Sequence, residues 1–143
     1  MSDSNKKYFA QTGVDNIIIG IHVVAASDCL DNNGDHSELV GKQFLESIHN
    51  IPADKWVEYS LTGVFRNNPA RIGGTYDSGN DVFISVKPYA SWTLSAEYEW
   101  EAPVAYPTIT GNFPIYWDEE NQKWLRADDT PTPNWDPNTS SWV

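Results

Sequence analysis

Proline and tryptophan are unevenly spread along this chain. Residues 88–143 hold seven of its nine prolines (88, 103, 107, 114, 131, 133 and 137) and six of its seven tryptophans. Proline has no N–H to donate and a fixed φ, so it is kept out of helix interiors and central strands. A stretch interrupted this often is restricted to turns, edges and extended connectors, and no helix is expected in it. Its large aromatics set it apart from a disordered proline-rich linker. The expected fold class is α+β: a small N-terminal domain over residues 1–87, with β-hairpins around one helix, followed by an all-β, Pro/Trp-rich arm over residues 88–143. The boundary is placed near Lys87-Pro88.

Within the first part, Tyr8–Gln11 reads as a short strand and Thr12–Asn16 as a turn. Ile17–Val24 is β-branched and almost continuously apolar, the pattern of a strand covered on both faces. The two make a hairpin. Asp31–Asp35 is a turn. The helix is expected at about Ser37 to Ile48, with Val40, Phe44 and Ile48 in one stripe and Leu45 beside them. Asp35 followed by Glu38 suggests its cap, and Pro52 prevents its extension. Trp56–Leu61 alternates as a strand. A hairpin with its turn at Asp77–Asn80 leads into Asp81–Val86.

The arm repeats a small pattern. Trp117-Asp118 is followed by Trp124, and Trp135-Asp136 by Trp142, seven residues after the first Trp in both cases. Trp92 and Trp100 bracket a slightly longer loop. Each unit reads as a hairpin with a Trp at either end, the turn of the last one set by Pro137 and Asn138. Such a hairpin is marginal alone and needs a neighbour over its Trp face. That neighbour is the first domain, another copy of the chain, or a different protein. Trp100–Pro103 and Ala105–Pro107 read as extended connectors.

Charge narrows the partners. Twenty acids against nine bases give a net charge of −11, which disfavours phosphate-binding surfaces and anionic membranes. No nucleic acid and no membrane are expected as partners. One cysteine excludes a disulfide framework, and no apolar run is long enough to span a bilayer. The polar start, MSDSNKKYF, lacks a signal-peptide pattern, which fits a protein made in the cytosol.

Candidate chemistry is sparse. Asp28, Asp31, Asn33 and Asp35 surround Gly34, but Cys29 or Lys42 falls where a calcium loop needs a carboxylate. His22, His36 and His49 are far apart for a zinc site. Cys29 lacks a basic neighbour to activate it. The acid pairs in Asp118-Glu119-Glu120 and Asp128-Asp129 read as hydrophilic loop tips. No cofactor, metal or catalytic residue is expected. The candidate sites are interface residues: Trp92, Trp100, Tyr106, Trp117, Trp124, Trp135 and Trp142, with Arg66 and Arg71 as specific ion-pair formers.

Four stretches carry a resemblance. They are Tyr59-Ser60 with Thr62–Arg66; Ala70–Asp77 running into Asp81–Ile84; Lys87–Leu94; and Trp100–Pro107 with Tyr116–Glu120 and Trp124. Residues 55–125 resemble a group of small proteins encoded by tailed phages of marine bacteria and cyanobacteria, with the pattern GxTYDxxxDxFI, PYxSWxL, WEAPxxYP and YxWDExxxxW. This chain departs from it at Val86, where Pro is common, and adds the Trp135–Trp142 hairpin. The resemblance implies a virion structural or accessory protein rather than an enzyme. The expected function is binding to other virion proteins (major capsid or tail subunits), with copies of itself as a further partner. A capsid decoration or cement protein comes first and a tail-attached protein second, localised to the virion after assembly in the host cytoplasm. A tail-fibre assembly chaperone and a carbohydrate-binding adsorption module are the alternatives.

Overall fold

A computed structural model describes residues 5–127 and 132–143. Asp128-Asp129 and Pro131 lie outside the described residues, as does the start of the chain. The protein is α+β, with one α-helix among the described residues and otherwise short antiparallel strands. Contacts divide it into two compact units, residues 1–86 with 97–99, and residues 87–96 with 100–143.

The first unit is built on a three-stranded antiparallel sheet. β1 (Lys6–Thr12) lies in the middle, between β2 (Ile18–Ala25) and β3 (Trp56–Tyr59). Successive side chains of a strand face opposite ways, so β1 feeds two cores. Phe9 joins Val24, Cys29, Leu45 and Trp56 on the side of the helix α1 (Glu38–His49). Ala10 joins Ile18, Val57, Tyr59 and Phe83 on the opposite side, with the hairpin β4 (Thr75–Asp77) and β5 (Val82–Ile84). Both faces of the sheet are therefore packed, yet β2 is an edge strand rather than a central one. Ile19 and Val23 remain 53% and 58% exposed.

Two details of the helix differ from the sequence expectation. Ser37 is the N-cap, its Oγ accepting from the N–H of Val40 at 3.3 Å, whereas the Asp31 carboxylate accepts from Asn33 and Asp35 N–H within the preceding turn. The buried face carries Gly41 and Leu45, and Ile48 is 56% exposed. Gly41 is the reason. A Cβ there would lie 2.5 Å from Phe9 Cζ and 2.9 Å from Cys29 Sγ, so the helix makes its closest approach where it has no side chain and the stripe rotates by one position.

Among its described residues the second unit contains three two-stranded hairpins: β6 (Thr93–Leu94) with β7 (Trp100–Glu101), β8 (Ile115–Asp118) with β9 (Lys123–Arg126), and β10 (Trp135–Asp136) with β11 (Ser141–Trp142). A bridge between Leu125 and Asn134 joins the last two. Trp117, Trp124 and Trp135 form its buried core.

Candidate interaction surface

One hairpin unit occurs three times. Tyr76-Asp77 pairs back through Phe83, Trp117-Asp118 through Trp124, and Trp135-Asp136 through Trp142, with each Asp opposite the residue five positions on. In all three the Asp carboxylate accepts turn N–H groups: Gly79 and Asn80 on Asp77, Asn121 on Asp118, Asn138 on Asp136. The residue four after each Asp has a positive φ: Asp81 at 56°, Gln122 at 50° and Ser140 at 51°. The side chain thus fixes the turn, and a left-handed residue returns the chain to its partner strand. Sequence reading counted the two Trp copies and missed the Tyr/Phe copy, because aromatic identity differs although the spacing is the same.

The paired indoles are edge-to-face. Ring centroids of Trp117 and Trp124 are 5.0 Å apart at 65°, and those of Trp135 and Trp142 are 5.3 Å apart at 64°. Such contacts add to area burial. Trp117, Trp124 and Trp135 are buried, Trp142 is half-buried, and neither pair offers the coplanar platform that a sugar ring would stack on. Trp92 does not face Trp100 across its hairpin. Leu94 does, and Trp92 instead packs edge-on against Trp117 and Trp124, both at 6.1 Å. Neighbours anchor the indole N–H groups: Trp117 donates to Glu119 at 2.8 Å, Trp124 to the carbonyl of Val104 and Trp142 to that of Ile109, both at 2.9 Å. Hydrogen bonds from Ser91, then Trp117, hold the Glu119 carboxyl below the usual range. The buried indole N–H of Trp92 has no partner among the described residues.

What this packing leaves open is a groove of about 550 Å³, lined by Trp92, Trp100, Ala102, Val104, Tyr106 and Trp124, with Glu101 at its wall. Tyr106 is 56% exposed while its ring meets Trp124 edge-on at 5.0 Å. Lys87 Nζ lies 5.6 Å from the Trp100 ring centroid, within cation–π range. The structure thus brings Trp92, Trp100, Tyr106 and Trp124 to one surface. Trp117 and Trp135 lie in the core, and Trp142 packs with Phe113 and beneath the Arg126 guanidinium.

The two arginines separate. Arg71 is exposed and forms no ion pair among the described residues. Arg66 is bound on every side of its fork. Nη1 and Nη2 reach both oxygens of Glu38 at 2.7 and 3.0 Å, Nε reaches Asp81 at 2.8 Å, and Nη1 also donates to the Glu58 carbonyl at 2.8 Å. Tyr76 donates to the same Asp81 carboxylate. Burial alone would push Glu38 up, but the Arg66 and Glu58 N–H hydrogen bonds bring it below the ordinary carboxylate range. Burial, then the bond to Asp81, pushes Tyr76 up to about 12. This cluster is internal scaffolding of the first unit.

The histidines divide two and one. His22 and His49 meet over Trp56, with ring centroids 4.9 Å apart, while His36 Nε2 lies 2.7 Å from the buried Glu58 carboxylate. Among the described residues no group of three His, Cys, Asp or Glu side chains could hold a metal ion. No helix among them is long and apolar enough to cross a membrane. Comparison with protein-family models, with curated proteins and with solved structures finds no match to this chain.

Proposed function

We propose that this chain is a non-enzymatic structural subunit of a phage virion that attaches to other virion proteins through the aromatic groove of its second unit. The groove carries the reading. It offers Trp100 and Tyr106 beside an apolar floor of Ala102 and Val104, and Trp and Tyr are the side chains on which protein interfaces concentrate their binding energy. The resemblance of residues 55–125 to small phage proteins suggests the virion context. A net charge of −11 suits an outer position on a particle, where like charge keeps particles apart. Decoration or cementing of the head is the first assignment within this reading and a tail-attached accessory role the second.

Two measurements test it. Mass spectrometry of purified virions should find the chain, and electron microscopy of the particle should locate the groove against a neighbouring subunit. Its absence from particles would replace this reading with that of an assembly chaperone. Tyr106→Ala should weaken attachment with the second unit still folded. If that variant attaches normally and instead loses binding to host glycans, the chain is an adsorption module.

A further inference from the structure

Prolines fix one wall of the aromatic groove. Pro103 and Pro107 bracket Val104, Ala105 and Tyr106. Pro107 is buried, and the Val104 carbonyl accepts from Trp124 Nε1 at 2.9 Å. The wall is therefore held in place before anything binds. It is also a poor template for strand addition, since the prolines at either end lack an N–H. Recognition here falls to side chains.

Those side chains stand at steep angles to one another. The Tyr106 ring meets Trp124 at 75°, and the Trp92 ring meets Trp124 at 66°. Rings set edge against face leave slots between them, not the smooth apolar trough into which a helix lays its stripe. Slots between aromatic rings are where polyproline-type segments dock, because their ridged, already extended form loses little entropy on binding. Such a segment has no internal hydrogen bonds, so its carbonyls are free to accept. The groove has a donor for one of them: Tyr106 is exposed, and its hydroxyl has no partner among the described residues.

Charge adds a second requirement. Lys87 lies over the Trp100 ring, and its charge acts on the Glu119 carboxyl, so it is already engaged. The exposed Glu101 carboxylate at the groove wall meets no base in an ion pair among the described residues. The groove thus presents one uncompensated negative charge beside its apolar slots.

We propose that the groove binds an extended, proline-rich segment of a neighbouring virion protein, with a Lys or Arg of that segment paired to Glu101. The source of the segment rests on the virion reading above, whereas its chemistry rests on the groove alone.

Titration of the full chain with the synthetic peptide PPPPPRPPP, followed by the indole N–H signals in nuclear magnetic resonance, tests it. The signals of Trp92, Trp100 and Trp124 should shift with a dissociation constant below about 1 mM, while those of Trp56 and Trp142 stay in place. Exchanging the prolines of the peptide for alanine, or its arginine for glutamate, should weaken binding by at least about tenfold. Tyr106→Ala should do the same, and Glu101→Lys should reverse the preference between the arginine and glutamate peptides. No shift up to that concentration, or equal binding of the alanine peptide, would overturn the proposal. So would an arginine preference that survives Glu101→Lys. A chain that attaches to particles through Tyr106 but ignores the peptide keeps the virion reading and loses this one. A chain that binds the peptide but attaches to particles without Tyr106 does the opposite.

Discussion

Arg66 Nη1 and Glu38 Oε2 sit 2.7 Å apart, and together they hold both outward backbone groups of Glu58. Residues 28 apart in sequence thus close a sheet edge. Arg66 adopts φ 57° to do so, a conformation that costs a non-glycine residue about 1 kcal/mol or more and is offset by the ion pairs that its side chain makes.

Replacing Arg66 by Ala leaves the Glu58 carbonyl without its side-chain donor and a half-buried Glu38 carboxylate with only the Glu58 N–H. The first unit should lose about 2–4 kcal/mol in denaturant unfolding. Arg66→Lys keeps the charge but not the fork, and an intermediate loss is expected. If Lys restores full stability, the edge is held by charge alone.

Stability should fall in mild acid through His22. Burial, then the neighbouring His49, lowers the His22 pKa in the folded protein below its ordinary 6.5. The unfolded chain therefore binds the proton that the folded one resists. This contribution is complete above pH 6.5 and is lost as the pH falls toward the folded value. Thermal unfolding followed from pH 8 to pH 5 should show the decline, and His22→Gln should flatten it. Glu38 and Asp81, both lowered, remove further stability only below the ordinary carboxylate range, near pH 4.5 and 3.8.

Trp117 and Tyr106 should respond to very different extents. Trp117→Ala opens the core of the second unit and is expected to cost about 3–5 kcal/mol. Tyr106→Ala removes a ring that is mostly in solvent and should cost about 1 kcal/mol or less. Tryptophan fluorescence during denaturation separates the two, and comparable losses would mean that Tyr106 belongs to the core.

Gln122 and Ser140 hold the left-handed position of their turns without using their side chains to do it. Gln122→Gly and Ser140→Gly should each stabilise the second unit by about 0.5–1 kcal/mol. Asp81 occupies the same position in the first unit, yet Asp81→Gly should destabilise, because its carboxylate holds Arg66 and Tyr76. Melting temperatures of the three variants check the contrast.

Local features were legible where a residue type dictates a conformation. The turn at Asp77–Asn80, the single helix and the Trp117–Trp124 and Trp135–Trp142 pairs all follow from spacing and turn chemistry. The same logic sets Trp92 opposite Trp100, but the loop is longer and Leu94 takes the register. The turn of the last hairpin contains Pro137 and Asn138, as their residue types suggest, but its left-handed residue is Ser140. The helix stripe was misplaced by one position, since periodicity favours large apolar side chains and overlooks a glycine that permits close approach.

The sequence alone determined an α+β chain with one helix, a proline-interrupted β region with two seven-residue Trp-to-Trp units, and the hairpin turn at Asp77–Asn80, because φ restrictions and turn chemistry act within a few residues. Tertiary structure alone decided which aromatics are core and which line the groove, that β2 is an edge, and that Arg66 serves the backbone of Glu58. Each of those depends on groups distant in sequence meeting in space, and burial is a property of the neighbours rather than of the residue.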